Sequence, residues 1–394
     1  MVLDHRNRMT EIEPLHDDDP FAEIRPYSNR EAPDVLRRLA LDAELTETLA
    51  QWRLSRLNRI WPAFAQALAR LWLQRMVRRL SSVEDLQNLI APALSRTIKK
   101  TSQFSVSGIE HLDLKQARVY LSNHRDIFLD AAYANYALHR MGARTMSLAI
   151  GDNLLSKQWV ADLMRLNKSF VVKRNLGGPR ALLAATKLLA KFIRQSVTQD
   201  HNPIWIAQRE GRAKDGCDVT EPAVIKMLTL SRDQNESRES VLKSLNIVPL
   251  VIAYELDPCD ELKAAELSAG ATYTKAEFED VASMSLGIMG QKGCVHLHFG
   301  DPLDPDLDVA GVVSAIDQQM VAHYRLYRTN VWAWEWLHGE QVPDFVTAHE
   351  GEISESAFRL RIEAAPVQYR DQLLAMYANP VSRLLSETVA IEGH

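Results

Sequence analysis

From about residue 102 the chain alternates short apolar runs with longer helical stretches, and no other feature constrains its fold as tightly. The runs at 117–122, 145–150, 169–173, 203–207, 247–254 and 294–299 read as strands. The stretches at 126–140, 154–166, 179–196, 220–231 and 309–327 read as helices. Strands joined through helices return to the same sheet side by side. The pattern therefore predicts an α/β layered fold, with a largely parallel or mixed central sheet flanked by helices. The run 247–254 is apolar at nearly every position, as in a strand covered on both faces. Pro249 inside it removes a ladder donor, which points to an edge strand or a bulge. Residues 256–291 are more polar and read as an excursion between two strands.

The flanks differ in composition. Residues 1–20 read as a disordered tail, 21–101 as a helical Arg/Trp-rich region, 102–340 as the α/β domain and 341–394 as a helical extension. Between 51 and 80 stand seven arginines and no Asp or Glu, interleaved with Trp52, Trp61, Phe64 and Trp72, with Pro62 as a break. Such a basic amphipathic stretch suits an anionic membrane surface. A helical hairpin packed on the main domain, its arginines solvated, accounts for it equally well. The formal charge of −5 argues against a dedicated nucleic-acid partner. Three cysteines outside any paired motif fit a reducing compartment. The polar, acidic N-terminus is not a secretory signal, and no apolar run is long enough to span a bilayer. The expected location is cytoplasmic, with peripheral contact to the inner face of the cytoplasmic membrane.

Four segments carry candidate chemistry. Asn123-His124-Arg125-Asp126 follows the first apolar run, with Asp130 close behind. A histidine oriented by a carboxylate can take a proton from a hydroxyl, and either Asp126 or Asp130 is placed to orient it. Asp126 as a helix cap is the plainer explanation of that residue. Lys173 and Arg174 end the run at 169–173 before Gly177-Gly178, where cations and helix-opening amides suit a phosphate. Glu210-Gly211-Arg212, with Lys214, ends the run at 203–207. Glu210 could orient a hydroxyl or a cation, and Gly211 permits a left-handed turn. The fourth segment is the strand carrying Val248-Pro249. Cys294, His296 and His298 alternate on one strand, but three such positions rarely make a tetrahedral set, so no metal site is expected. Trp332, Trp334 and Trp336 read as a packing stripe.

In this order and spacing, Asn123-His124, Phe170 with Arg174, Glu210-Gly211-Arg212 and Val248-Pro249 resemble the glycerolipid acyltransferase superfamily over roughly residues 102–330. One departure stands out: the family places an Asp five residues after its His, where this chain has Leu129, with Asp130 next. The resemblance implies an O-acyltransferase that moves a fatty acyl group from acyl-CoA or acyl-carrier protein to a phosphorylated glycerol acceptor. That acceptor would be 1-acyl-sn-glycerol 3-phosphate, or else glycerol 3-phosphate or another lysolipid. It assigns His124 as base with Asp130 or Asp126, and Lys173, Arg174, Glu210, Gly211, Arg212 and Lys214 to substrate, with no cofactor or metal. A lipid-binding protein without transfer chemistry, and a thioester hydrolase, are the rival readings.

Overall fold

The computed structural model describes residues 19–155, 157–174, 176–274 and 279–392, so the tail expected over 1–20 lies almost wholly outside the described residues. Seven strands form one sheet: β1 (Gln103–Ser107), β2 (Val119–Ser122), β3 (Ser147–Gly151), β4 (Ser169–Val172), β5 (Ile204–Ala207), β6 (Val248–Tyr254) and β7 (Cys294–Phe299). Their spatial order is β1-β7-β6-β2-β5-β3-β4. Every pairing is parallel except β6 with β7. This is the expected α/β sheet, with one strand beyond those read from sequence. That strand, β1, alternates polar and apolar residues, and its serines bond the β7 histidines instead of entering the core.

Sixteen helices surround the sheet among the described residues. α1 (Ala32–Leu41), α2 (Ala43–Arg53), α3 (Ser55–Ile60), α4 (Pro62–Val77) and α5 (Val83–Thr101) precede β1. α6 (Leu129–Arg140), α7 (Gln158–Leu166) and α8 (Pro179–Thr198) cross between β2, β3, β4 and β5. α9 (Pro222–Leu228) and α10 (Arg238–Leu245) lead to β6, while α11 (Asp260–Ala269) and α12 (Glu279–Met289) fill the excursion before β7. α13 (Val309–His323), α14 (Arg328–His338), α15 (Glu355–Ala364) and α16 (Arg370–Glu392) complete the chain.

The sheet's two faces build two cores. Val119, Leu121, Ile204, Ile206 and Val251 pack toward α8, α9 and α13. Tyr120, Trp205, Leu250 and Ile252 pack toward α6 and its Tyr133. At roughly 25 cal/mol per Å² of apolar surface removed from water, these alternating residues fix the register of the central strands. Pro249 corrects an expectation: β6 is an interior strand, paired on both sides, and Pro249 is its second residue, aligned with Leu121. Near a strand start the missing amide costs little, and the Pro249 carbonyl still accepts from Gly300 N at 2.8 Å. Of the tryptophan stripe, Trp334 is buried and Trp336 stacks on Phe358, both in the C-terminal core.

Candidate active site

The candidate residues gather at the carboxyl ends of parallel strands: His124 after β2, Arg174 after β4, Glu210 after β5 and Tyr254 closing β6. The chain leaves β2 for β3 on one side, and β6 returns on the other, so β2 lies at a topological switch point. In sheets of this kind the crevice beyond the strand ends at such a point receives ligands.

The turn carrying His124 is pinned from three directions. The Asn123 amide is fully buried, accepts from Ile252 N at 2.8 Å and donates to Ile252 O at 2.9 Å, extending the β2–β6 ladder by a side chain. His124 O accepts from Ala213 N at 2.7 Å, and Arg125 O from Lys263 Nζ at 2.6 Å. The buried Arg125 guanidinium donates to Asp218 at 2.6 Å and to Gly216 O at 3.2 Å. Truncating one member of such a set strands its partners without water, costing roughly 1–3 kcal/mol per group.

Asp130 holds the imidazole. Its Oδ2 lies 2.9 Å from His124 Nδ1 and accepts the Arg125 and Asp126 amides at 2.6 and 2.9 Å. Its Oδ1 accepts from Tyr254 Oη at 2.7 Å. A carboxylate facing four donors acts as acceptor, so Nδ1 carries the hydrogen and Nε2 is left as the basic nitrogen. Trp205 meets the His124 ring edge to face, with centroids 5.6 Å apart. His124 keeps 15% of its side chain exposed against 1% for Asp130, so solvent reaches the imidazole and not its partner.

Asp126 is differently engaged. Its Oδ1 accepts the Phe128 and Leu129 amides at 2.9 and 2.8 Å, capping the start of α6. Burial, then the neighbouring Asp130 charge, raises its carboxyl above the usual range. The helix begins at Leu129 and not at 126, because residues 123–128 form the turn. That turn lets Asp130 swing back to His124 although it lies one residue beyond the family's spacing.

The remaining candidates fall into two groups. Arg174 and Glu210 face each other with Nη1 3.3 Å from Oε1, bringing the second and third segments together. Gly211 adopts a φ of +75°, which supplies the left-handed turn after Glu210. Arg212 is partly buried; burial pushes the Asp257 carboxyl up, but Lys263 chiefly, with a smaller share from Arg212, brings it below the usual range. Lys173 and Lys214 are instead ion-paired with Glu23 and Glu266, so each cation is already matched by a carboxylate. Sequence reading missed Tyr254, Arg125, Asp218 and Lys263 as parts of the site. Only Tyr254 left a trace, as a polar tip ending an otherwise apolar strand.

Among the described residues no group of three or more His, Cys, Asp or Glu has the geometry to hold a metal ion. His296 and His298 bond Ser105 and Ser107 at 2.8–2.9 Å.

Comparison with known proteins finds likenesses to acyltransferases. An acyltransferase family model matches residues 103–222. Dihydroxyacetone phosphate acyltransferases of Homo sapiens and Bos taurus are each 21% identical over 206 residues, 52% of this chain and 29% of theirs. The chain thus spans less than a third of the length of these relatives. The crystal structure of the 1-acyl-sn-glycerophosphate (LPA) acyltransferase PlsC from Thermotoga maritima aligns at 15% identity with a TM-score of 0.34, covering 70% of this chain and 95% of that one. His124, Asp130, Arg174 and Glu210 all lie within the segment that matches the acyltransferase family model.

Proposed function

We propose that the protein transfers a fatty acyl group from an acyl thioester, acyl-CoA or acyl-carrier protein, to the free hydroxyl of 1-acyl-sn-glycerol 3-phosphate, giving phosphatidic acid. The observation that carries this reading is the His124–Asp130 pair at the end of β2, with Arg174 and Glu210 at the ends of neighbouring strands. His124 Nε2 takes the hydroxyl proton as the oxygen attacks the thioester carbonyl. The new C–O bond forms, the tetrahedral intermediate collapses, the C–S bond breaks, and the thiolate recovers that proton from His124. Arg174 exchanges Glu210 for the acceptor phosphate, which it can grip in bidentate fashion. Glu210, once released, orients the acceptor's polar groups, while Arg212, Lys173 and Lys214 contribute positive potential. The dihydroxyacetone phosphate acyltransferases similar to this chain are likewise named for a phosphorylated three-carbon acceptor.

The reaction is proposed to occur at a membrane surface, on the inner face of the cytoplasmic membrane. α2 and α4 form an antiparallel hairpin, with Leu45 clustered near Leu73 and Ala50 near Ala65 and Ala69. Its root is fixed by Arg38 to Asp162, at 2.7 Å through both Nε and Nη2, and by Glu44 to Lys157 and Trp159 beside the start of α7. Beyond the root, Trp52 is 74% and Trp61 64% exposed, with Ile60, Phe64 and Trp72 alongside. Arginines and exposed tryptophans together suit an anionic headgroup layer. No described helix is long and apolar enough to cross a membrane.

Purified protein incubated with liposomes, both thioester donors and a panel of acceptors tests the reading, with products identified by mass spectrometry. Phosphatidic acid formed from the lysolipid is expected. Thiol release with no acylated product, or no consumption of thioester, would overturn it.

A further inference from the structure

We propose that the first two turns of α8 are a second bilayer contact, beside the mouth of the site, binding an anionic lipid surface. This deepens the membrane-surface reading above, and three observations carry it. Residues 179–184 are exposed one after another, and six helical positions turn through more than a full circle, so this part of α8 stands clear of the body on every side. It nonetheless presents adjacent leucines, Leu182 at 44% and Leu183 at 48% exposure. The later turns of the same helix bury Leu189, Phe192 and Ile193 in the core, so the helix is anchored at one end and free at the other.

The charge is equally one-sided. Residues 163–199 hold eight Lys and Arg and no Asp or Glu, in a chain whose formal charge is −5. Several of these cations are used internally: Arg165 on backbone carbonyls, Lys168 on Thr145, Arg194 on Glu236. Arg180, Lys187 and Lys191 occupy exposed positions on α8 itself. Paired leucines ringed by lysine and arginine match a surface of acyl chains beneath anionic headgroups.

Location supplies the third observation. α8 opens just after Arg174 at the end of β4, and the α2–α4 hairpin is rooted near the start of α7, beyond the end of β3. β3 and β4 are parallel neighbours, so both basic, apolar elements leave the same end of the sheet as His124. Contact at both would set that end against the lipid surface, with Arg174 near the acceptor phosphate.

Sedimentation with phosphatidylcholine vesicles, with and without a large share of phosphatidylglycerol, tests the proposal in the full chain. The variants are Leu182→Ser/Leu183→Ser, the same pair to Met, and Trp52→Ser/Trp61→Ser in the hairpin. The Ser pair is expected to weaken binding to anionic vesicles by about tenfold or more, while the Met pair, which keeps the apolar contact, binds as wild type. Turnover of a water-soluble short-chain acceptor should be unchanged in the Ser pair. Undiminished vesicle binding by the Ser pair would overturn the proposal. So would a loss confined to turnover with an acyl-carrier-protein donor, which would assign the surface to an acidic protein. Because sedimentation needs no catalysis, failure of the acyltransferase reading leaves this result readable. Loss of binding in the α8 pair but not in the hairpin pair supports α8 and removes the hairpin contact.

Discussion

His124 depends on a single carboxylate, and the geometry separates the two candidates, of which sequence leaned toward Asp130. Asp130 contacts the imidazole, whereas Asp126 holds two amides at the helix start. His124→Ala and Asp130→Ala should each lower kcat by about 10²–10⁴-fold, and Asp130→Ala, which strands buried donors, should lower Tm as well. Asp126→Ala should act mainly through the lost cap, about 0.5–2 kcal/mol of stability, seen as a lower Tm with kcat within about tenfold of wild type. Equal losses of kcat in the two aspartate variants would contradict this division. Tyr254 supplies the fourth donor to Asp130. Tyr254→Phe leaves Oδ1 without that partner, and kcat should fall roughly tenfold while the acceptor KM stays constant. His124 was legible because three later segments, ordered after it in the chain, complete the pattern that its nearby carboxylates only begin. Tyr254 was not, because it lies 124 residues away and only the β2–β6 pairing brings it there.

At the scale of elements, the alternation of apolar runs revealed six strands because each buries a continuous row of side chains. It missed β1, whose Ser105 and Ser107 spend their polarity on His296 and His298. It also misjudged β6, since a proline near a strand start leaves the rest of the ladder intact. The least legible element in functional terms is α16, outside the segment that matches the family model. Asn379 Nδ2 donates to Asp215 O at 2.6 Å, and a Cβ at Gly216 would fall 2.1 Å from Met376 O. Gly216 O in turn accepts from Arg125, next to His124. The last helix thus braces the loop that carries Arg212 and Lys214. Asn379→Ala should raise the acceptor KM about three- to tenfold, with little change in kcat, in steady-state assays. A fall in kcat at constant KM would place the effect at the base instead.

For the whole molecule, charge segregation and a histidine cluster set the response to solution conditions. Burial, and then nearby Arg325, depresses His296 to about 3; burial, and then the stacked His323, depresses His298 to about 4. The remaining neighbours are His349 beside His296, Glu110 and Asp301 beside His298, and the serines of β1. An unfolded histidine titrates near 6.5, so between that pH and about 4 the unfolded chain binds more protons than the native one. Stability should therefore fall as pH drops below about 6.5, by at most about 1.4 kcal/mol per unit for each histidine. Tm scanned from pH 7 to pH 5 should decline, and the decline should be shallower in His296→Gln. An edge position gives β1 one further property. Among the described residues its one partner in the sheet is β7, 191 residues later in the sequence. At ribosomal speeds of about 5–20 residues per second, the strand waits roughly 10–40 s for that partner to be made. During that interval residues 103–107 are an unpaired segment, and chains stalled before residue 294 should be cut there by a protease that spares the finished protein.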